Sequence, residues 1–516
     1  MVTFSHIFRR GHRDFSDNVR GYLHGLLASD LRRKNPDRME ERLPAVRADA
    51  LRHLLSGSPW DYGEAMRLVC VGADDLLGGR EDSALVLDEC GFVKKGTKSA
   101  GVARQYIGRL GKVDNCQMGV FGALSSGPWA QLVGMRLYLP ESWTASPARC
   151  KAAGIPRQAG VLRTKHDLAL EIVKEARANG ARFGWVLGDA FYGKSPAFLD
   201  AVEDLGLQFV IDLHCDTHVY TQHPRPGVPP PTGRRGRKPH RPKTDQAACR
   251  VDAIAAQLAA DRWETVTVRS STKGPITVQA AAVPIWTWDG RSSTVRERLL
   301  LVQRAGDPKE WEYTYSLAVV RTAQPTEELV RRQRQRFWIE RTFEDGKSNC
   351  GMADYQVRTW RGWHHHMTLV AMAMLFVLTE RVADAFVDQA PSDRPSTPTP
   401  PQAAAEGDRA REAPSEAQDP STTERERAGS PGRTAATAPG QASALRPSMA
   451  ALVRFDTVGL TVADVMHVLM VYLPRRDTTE EEVFRALAKR HAARRAAVGS
   501  ASTRTAGAER RHCVTK

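Results

Sequence analysis

The sequence predicts an α/β protein whose central sheet is split by a mostly β insertion and preceded by a helical N-terminal region. Three observations carry this. Short apolar β-like runs recur from Ser83 onward, joined by Gly-rich connections. Amphipathic helical patterns separate the later runs. Two of the runs end on an aspartate: Ala-Leu-Val-Leu-Asp88 and Trp-Val-Leu-Gly-Asp189.

In chain order, residues 1–80 read as helical, with Tyr22, Leu23, Leu26 and Leu27 at helical spacing among basic residues. Strands are expected over 84–87, 115–125 and 131–140. Residues 164–180 form an amphipathic helix with Thr164 as N-cap and Gly180 just past its end. A strand over 183–187, a helix over 196–205 and a strand over 208–213 follow. This order, βββαβαβ, is that of the ribonuclease H-like fold, in which acids at adjacent strand ends converge at one sheet edge. Residues 223–243 are rich in Pro, Gly and Arg and read as a basic loop, whose Arg235 and Arg237 suit a narrow A·T-rich minor groove or loose phosphate contacts. Runs at 263–269, 276–286, 298–303 and 313–320 make a mostly β insertion, after which helical character resumes at Thr326.

The boundaries expected are therefore 1–80 for a helical DNA-binding domain, 81–222 for the first part of the core, 223–325 for the loop and β insertion, and 326–388 for the second part of the core. Residues 389–447, dominated by Pro, Ala, Ser, Thr and Glu, read as a disordered linker. Residues 448–516 read as a basic tail, with a short helical pattern over Leu460 to Leu473 and a basic run over Phe484 to Ala497 that is either a helix lying on DNA or a charged end.

At 516 residues the chain is long enough for a full hydrophobic core. A net charge of +15 and a pI near 9.6 call for a polyanionic partner, most commonly nucleic acid, with a membrane surface as the weaker alternative. The eight cysteines are scattered without C-x-x-C or zinc-ligand spacing and read as thiols of a reducing cytoplasm. The longest apolar run, 367–378, is too short to span a bilayer, and no apolar signal core follows Arg9, Arg10, His12 and Arg13. An intracellular, soluble protein is expected.

The chemistry concentrates in Arg336-Phe-Trp-Ile-Glu340-Arg-Thr-Phe-Glu-Asp-Gly-Lys347. At roughly 100° per residue, Arg336, Glu340 and Lys347 fall within about 40° of one another on a helix. One carboxylate between two cations suits a metal ion held beside a phosphate. With Asp88 and Asp189 it completes three hard oxygen donors, the set that phosphodiester cleavage needs to hold two divalent ions. Asp88 would bridge both ions, and Asp189 and Glu340 would each complete one. Lys94, Lys95 and Lys98 follow Asp88 and either reach phosphates or form a solvated hairpin face. His364, His365 and His366 cannot all face one ion on a helix and are expected to pack.

The spacing Arg336-x-x-x-Glu340-x-x-x-x-x-x-Lys347 resembles the Y-R-E-K signature of bacterial insertion-sequence DDE transposases. Asp88-Glu-Cys-Gly-Phe-Val-Lys-Lys-Gly96, with Gly101 to Gly108 and Gly111 to Gln117, resembles the first-acid block of their DDE superfamily endonuclease branch. Asp189-Ala-Phe-Tyr-Gly193 resembles the second block, and Tyr355 to Trp363 the region after the third. The resemblance covers roughly residues 15 to 385. Gln333 stands where the signature has Tyr. The resemblance implies Asp88, Asp189 and Glu340 as a catalytic, metal-binding triad, with Arg336 and Lys347 on transposon-end phosphates. It further implies two Mg²⁺ ions, with Mn²⁺ able to substitute, and double-stranded DNA partners, both inverted repeats and target. A homodimer in the synaptic complex, no membrane association and a bacterial, cytoplasmic, nucleoid-associated location complete it. Relatives press an aromatic ring of the β insertion on an extruded base, for which Trp263, Trp286, Trp288 and Trp311 are available. The expected function is cut-and-paste DNA transposition. The alternatives are a ribonuclease H-like nuclease without strand transfer, and a retired transposase acting as a DNA-binding regulator.

Overall fold

The computed structural model describes residues 2–43, 46–230, 240–271, 274–387, 460–472 and 488. The expected linker at 389–447, most of the basic tail, and Arg235 and Arg237 lie outside them.

Four helices open the chain: α1 (Ser16–Leu27), α2 (Pro36–Arg42), α3 (Ala48–Ser56) and α4 (Tyr62–Leu77). Then come β1 (Ala84–Val93), β2 (Ala103–Ile107), β3 (Lys112–Ser126) and β4 (Trp129–Leu137), then α5 (Lys165–Ala178), β5 (Trp185–Gly188), α6 (Ala190–Gly193), α7 (Pro196–Asp204) and β6 (Gln208–Leu213). The insertion supplies β7 (Glu264–Ser271), β8 (Gly274–Trp288), β9 (Val295–Asp307) and β10 (Glu310–Val319). Helices α8 (Thr326–Gln335), α9 (Phe337–Asn349), α10 (Trp360–Val387) and α11 (Val462–Tyr472) close the described chain.

All ten of these strands belong to one mixed sheet, ordered β7-β8-β9-β10-β6-β5-β1-β3-β2, with β4 also paired to β3. The β1, β5 and β6 strands are parallel neighbours, while the flanking pairs are antiparallel. The insertion joins the core sheet, because β10 pairs with β6 and extends it. One expectation changes here: β1 does not stop at Leu87, because its pairing to β3 carries it to Val93, so Asp88 lies within the strand. Strand β2 was not anticipated: its alternation of Ala103, Gln105 and Ile107 with exposed Arg104 and Tyr106 is that of an edge strand with one wet face.

Local chemistry fixes the helices that frame the parallel strands. Thr164 and Asp167 form a reciprocal capping box: Thr164 Oγ1 accepts from the Asp167 N–H at 3.1 Å and Asp167 Oδ2 from the Thr164 N–H at 2.8 Å. Ser195 caps α7 ahead of Pro196.

Helix α10 is long and apolar enough to cross a membrane, but most of it is buried inside the protein. It is the element on which α1, α3, α4 and β4 pack. Its three histidines face three different neighbours, as packing requires. His366 Nδ1 shares a 2.8 Å hydrogen bond with the Tyr22 hydroxyl, His365 stacks on Trp60, and His364 stacks on Tyr62. Burial pushes their pKa values down to about 3 for His364, about 4 for His365 and about 3 for His366. One apolar cluster runs from Ile7 through the sheet to Leu469. The boundary expected at residue 80 therefore falls inside a shared core. Within the stretch expected as a basic tail, α11 docks on α10 and α9. Val465, Met466 and Val468 are buried there, and Arg381 Nε donates to the Leu460 carbonyl at 2.9 Å.

Candidate active site

Register places three aspartates in a row. Leu87 of β1 pairs with Gly188 of β5, and Gly188 with Ile211 of β6. The next residues along the chain are Asp88, Asp189 and Asp212. Strand β5 ends at Gly188, and Asp189 becomes the N-cap of α6, accepting from the Phe191 N–H at 3.0 Å. Asp88 Oδ1 accepts from the Glu89 N–H at 2.7 Å. Asp212 stays inside its ladder opposite Ser316. It accepts from Ser316 Oγ at 2.7 Å and from Gln333 Nε2 at 3.1 and 3.3 Å.

The third expected acid arrives on α9. The single helix read from the sequence is two helices meeting at Arg336, whose dihedrals (φ −52°, ψ −31°) remain helical. Arg336 is thus the joint, and Glu340 sits one turn into α9. The Arg336 guanidinium bridges two elements: Nη1 lies 2.9 Å from Glu340 Oε1, and Nε lies 3.5 Å from Asp212 Oδ2. Lys347 faces β1, where burial pushes the Cys90 thiol up to about 11 against the pull of the Lys347 ammonium.

Electrostatics bind these groups into one centre. Burial, then repulsion from Asp189, drives the Asp88 carboxyl up to about 7. Glu340 adds to this, while the Glu89 N–H and Arg336 oppose it. Burial also raises Asp212, against Arg336, Ser316 and Gln333. Burial works against the Arg336 charge, but Asp212, Glu340, Asp88 and Asp189 outweigh it and hold its pKa above the ordinary value.

Carboxylate oxygens are the donor type a hard divalent cation takes. Asp88, Asp189 and Glu340 fit such an ion in chemistry and in mutual electrostatic reach. They are not closed around a common point, however. Among the described residues no three His, Cys, Asp or Glu side chains lie close enough to hold one metal ion. The expectation that the three acids meet in one coordination pocket is corrected to this extent: Glu340 pairs with Arg336 instead of closing on the aspartates.

The other expected site residues divide. Lys95 and Lys98 are exposed and line a groove of about 1120 Å³ with Arg33 and Arg358. Lys94 is a correction. It turns inward, donating to the Tyr355 carbonyl at 3.3 Å with Nζ 3.3 Å from that ring's centroid, and burial lowers its pKa to about 8. Gln333 is buried on Asp212 rather than turned to a ligand. The four tryptophans of the insertion are half-buried, and Trp263 and Trp311 hold Arg304 between them at 3.9 and 4.8 Å. The exposed ring next to the Arg336 joint is Phe337. Sequence reasoning missed Asp212, although Phe-Val-Ile-Asp212 repeats the signal of Asp88 and Asp189, an apolar run ending in aspartate.

Residues 4–275 match the family described as DDE superfamily endonuclease, a span that includes Asp88, Asp189 and Asp212 but not α9. The chain is also similar to a protein of Microchaete diplosiphon named "Probable transposase for insertion sequence element IS701", with 31% identity over 199 residues. That alignment covers 38% of this chain and 49% of the relative, so the chain spans about half the length of the curated protein it matches.

Proposed function

The chain belongs to the DDE superfamily endonucleases, and from that premise we propose that it is an insertion-sequence transposase, which cuts DNA at transposon inverted repeats and joins the freed ends to target DNA. The observation that carries the proposal is the row of aspartates on three neighbouring parallel strands, Asp88 within β1, Asp189 just past β5 and Asp212 within β6, with Arg336 between Asp212 and Glu340. In this reading β1 to β6 form a ribonuclease H-like core: β1, β3, β4, α5, β5, α7 and β6 follow the expected βββαβαβ order, with β2 and the short α6 as additions.

Asp88, Asp189 and Glu340 would hold the divalent metal, two Mg²⁺ ions or Mn²⁺ in their place. When bound, the ions supply activation of the attacking oxygen and neutralisation of the leaving oxygen. The protein supplies position. Asp88, within β1, and Asp189, just past the end of β5, would present oxygens from neighbouring parallel strands, and α9 would present Glu340. Arg336, once its pairing with Glu340 is broken, and Lys347 offer the scissile region donors for phosphate oxygens. Lys95 and Lys98, with Arg33 and Arg358 in the same groove, bind the duplex backbone away from the acids, and Arg235 and Arg237 add sequence-independent phosphate contacts. Lys94 lines the same groove but is half-buried, with its Nζ on the Tyr355 carbonyl and ring, and would contribute less. Cleavage frees a 3′-hydroxyl, which attacks target DNA, and joining two ends requires two copies in the working complex.

The test uses the full chain with duplexes carrying the matched terminal repeats that flank its coding region. Expected are Mg²⁺- or Mn²⁺-dependent nicking at the repeat ends, transfer of pre-cleaved ends into a plasmid, and loss of both in Asp88→Ala. Nicking without transfer would establish the nuclease instead. Repeat binding with no nicking in either metal would establish a DNA-binding regulator.

A further inference from the structure

The acids named above leave one buried carboxylate of the same row without a role. Asp212 stands beside Asp189 in register, on the next parallel strand. It is held from three sides. Ser316 Oγ donates from β10 at 2.7 Å, Gln333 Nε2 donates from α8 at 3.1 Å, and Arg336 Nε approaches to 3.5 Å. Its backbone is fixed as well, because a methyl group on Gly193 of α6 would lie 2.1 Å from the Asp212 carbonyl oxygen. Helix α6 and β6 are therefore packed with no slack at this residue.

Arg336 is correspondingly tethered at both ends, by Asp212 through Nε and by Glu340 through Nη1. The two tethers differ. The Glu340 side chain is half exposed (51%), whereas the Asp212 side chain retains 13%. An ion pair with an exposed partner is readily exchanged, and one anchored in a hydrogen-bonded, buried frame is not. The residue that makes the frame in this chain is Gln333, the departure from the signature: its amide bonds both Asp212 oxygens.

We propose that Asp212 is the positioning residue of Arg336: held by Ser316 and Gln333, it anchors the guanidinium at its Nε end so that Glu340 can leave Arg336 for a divalent cation without Arg336 collapsing onto Asp88 and Asp189. The inference rests on the metal-binding reading of those three acids. Without the Asp212 charge, Arg336 keeps only Glu340, Asp88 and Asp189 as partners and competes with the cation for each of them.

The experiment is calorimetric titration of the metal-stripped full chain with Mn²⁺ alone, in wild type, Asp212→Asn, Arg336→Gln and the double variant. Asparagine matches the carboxylate in size and retains one acceptor oxygen, as at Oδ1, which both Ser316 Oγ and Gln333 Nε2 reach. Asp212→Asn should weaken Mn²⁺ binding about five-fold with Arg336 present and less than about two-fold in the Arg336→Gln background, a coupling typical of contacting side chains. Equal loss in both backgrounds would overturn the proposal, because Asp212 would then act as a ligand or a bulk charge. No loss in either would overturn it too. If Asp212→Asn does not fold, Gln333→Ala replaces it: a smaller loss, again confined to proteins with Arg336, supports the proposal, and an unchanged affinity refutes it. A wild-type chain that binds no Mn²⁺ would instead overturn the metal reading itself, and this inference with it.

Discussion

Replacing Asp88 by asparagine should stabilise the metal-free protein above neutral pH. The carboxyl is moved from its ordinary 3.8 up to about 7, chiefly by burial and then by Asp189. At ~1.4 kcal/mol per tenfold change, holding it ionised in the folded state costs on the order of 4 kcal/mol. Below pH 3.8 both folded and unfolded chains carry the proton and no cost exists. From pH 4 to 7 the unfolded carboxyl has ionised while the folded one resists, so the wild type loses stability as pH rises, and above 7 the loss is complete. Asparagine has no charge to hold and still accepts the Glu89 N–H. Allowing for relaxation around the new amide, a gain of about 2 kcal/mol is expected at pH 8, shrinking to nothing near pH 4. Urea unfolding of wild type and Asp88→Asn in EDTA at pH 4, 6, 7 and 8 measures it. The buried neutral histidines of α10 impose the opposite slope, losing stability as pH falls below 6.5, but they are common to both proteins and cancel in the difference. Excess Mg²⁺ should reverse the order, since only the wild type gains stability by binding it. A variant less stable than wild type at pH 8 in EDTA, or a gain of equal size at every pH, would refute the argument that Asp88 is strained by its own charge.

Gly193→Ala should cost about 1–3 kcal/mol in urea unfolding and should depress nicking as well, because the new methyl meets the Asp212 carbonyl at 2.1 Å and forces β6 or α6 to shift beside the acids. The double change Lys95→Ala and Lys98→Ala should weaken duplex binding uniformly across sequences and flatten the plot of log affinity against log salt by about 1–2, read by fluorescence anisotropy. The corresponding change at Lys94 should alter that slope less and also lower stability, since Lys94 is held on Tyr355. Met466→Ala should cost about 2–4 kcal/mol in urea unfolding, as expected of a buried core residue and not of a solvated tail.

Much of this architecture is written locally. The α5 helix could be read from Thr164 because a capping box is a four-residue event. The insertion strands could be read because alternation and β-branched content survive without knowing the partner. Asp88 and Asp189 stood out for a similar reason, since an apolar run that stops on an acid is visible without a fold. Strand β2 was not legible, because an edge strand with Arg104 and Tyr106 facing outward lacks the apolar content that marks a strand. Nor was the continuation of β1 through Asp88-Glu-Cys-Gly, which no propensity favours and only the ladder to β3 enforces.

The amino-acid order by itself determined which residues stand out: aspartates closing apolar runs, a helix bearing Glu340 with Arg336 and Lys347 on one face, and a positive net charge suited to a polyanion. These follow from residue type and short-range periodicity, which act within a few positions. Tertiary structure alone decided which charges neutralise one another. Arg336 meets Asp212 across more than a hundred residues, Lys94 turns from solvent to Tyr355, and Gln333 faces a carboxylate. Coulomb and desolvation energies depend on distance and burial, and neither exists for a side chain until the sheet and the helices have closed around it.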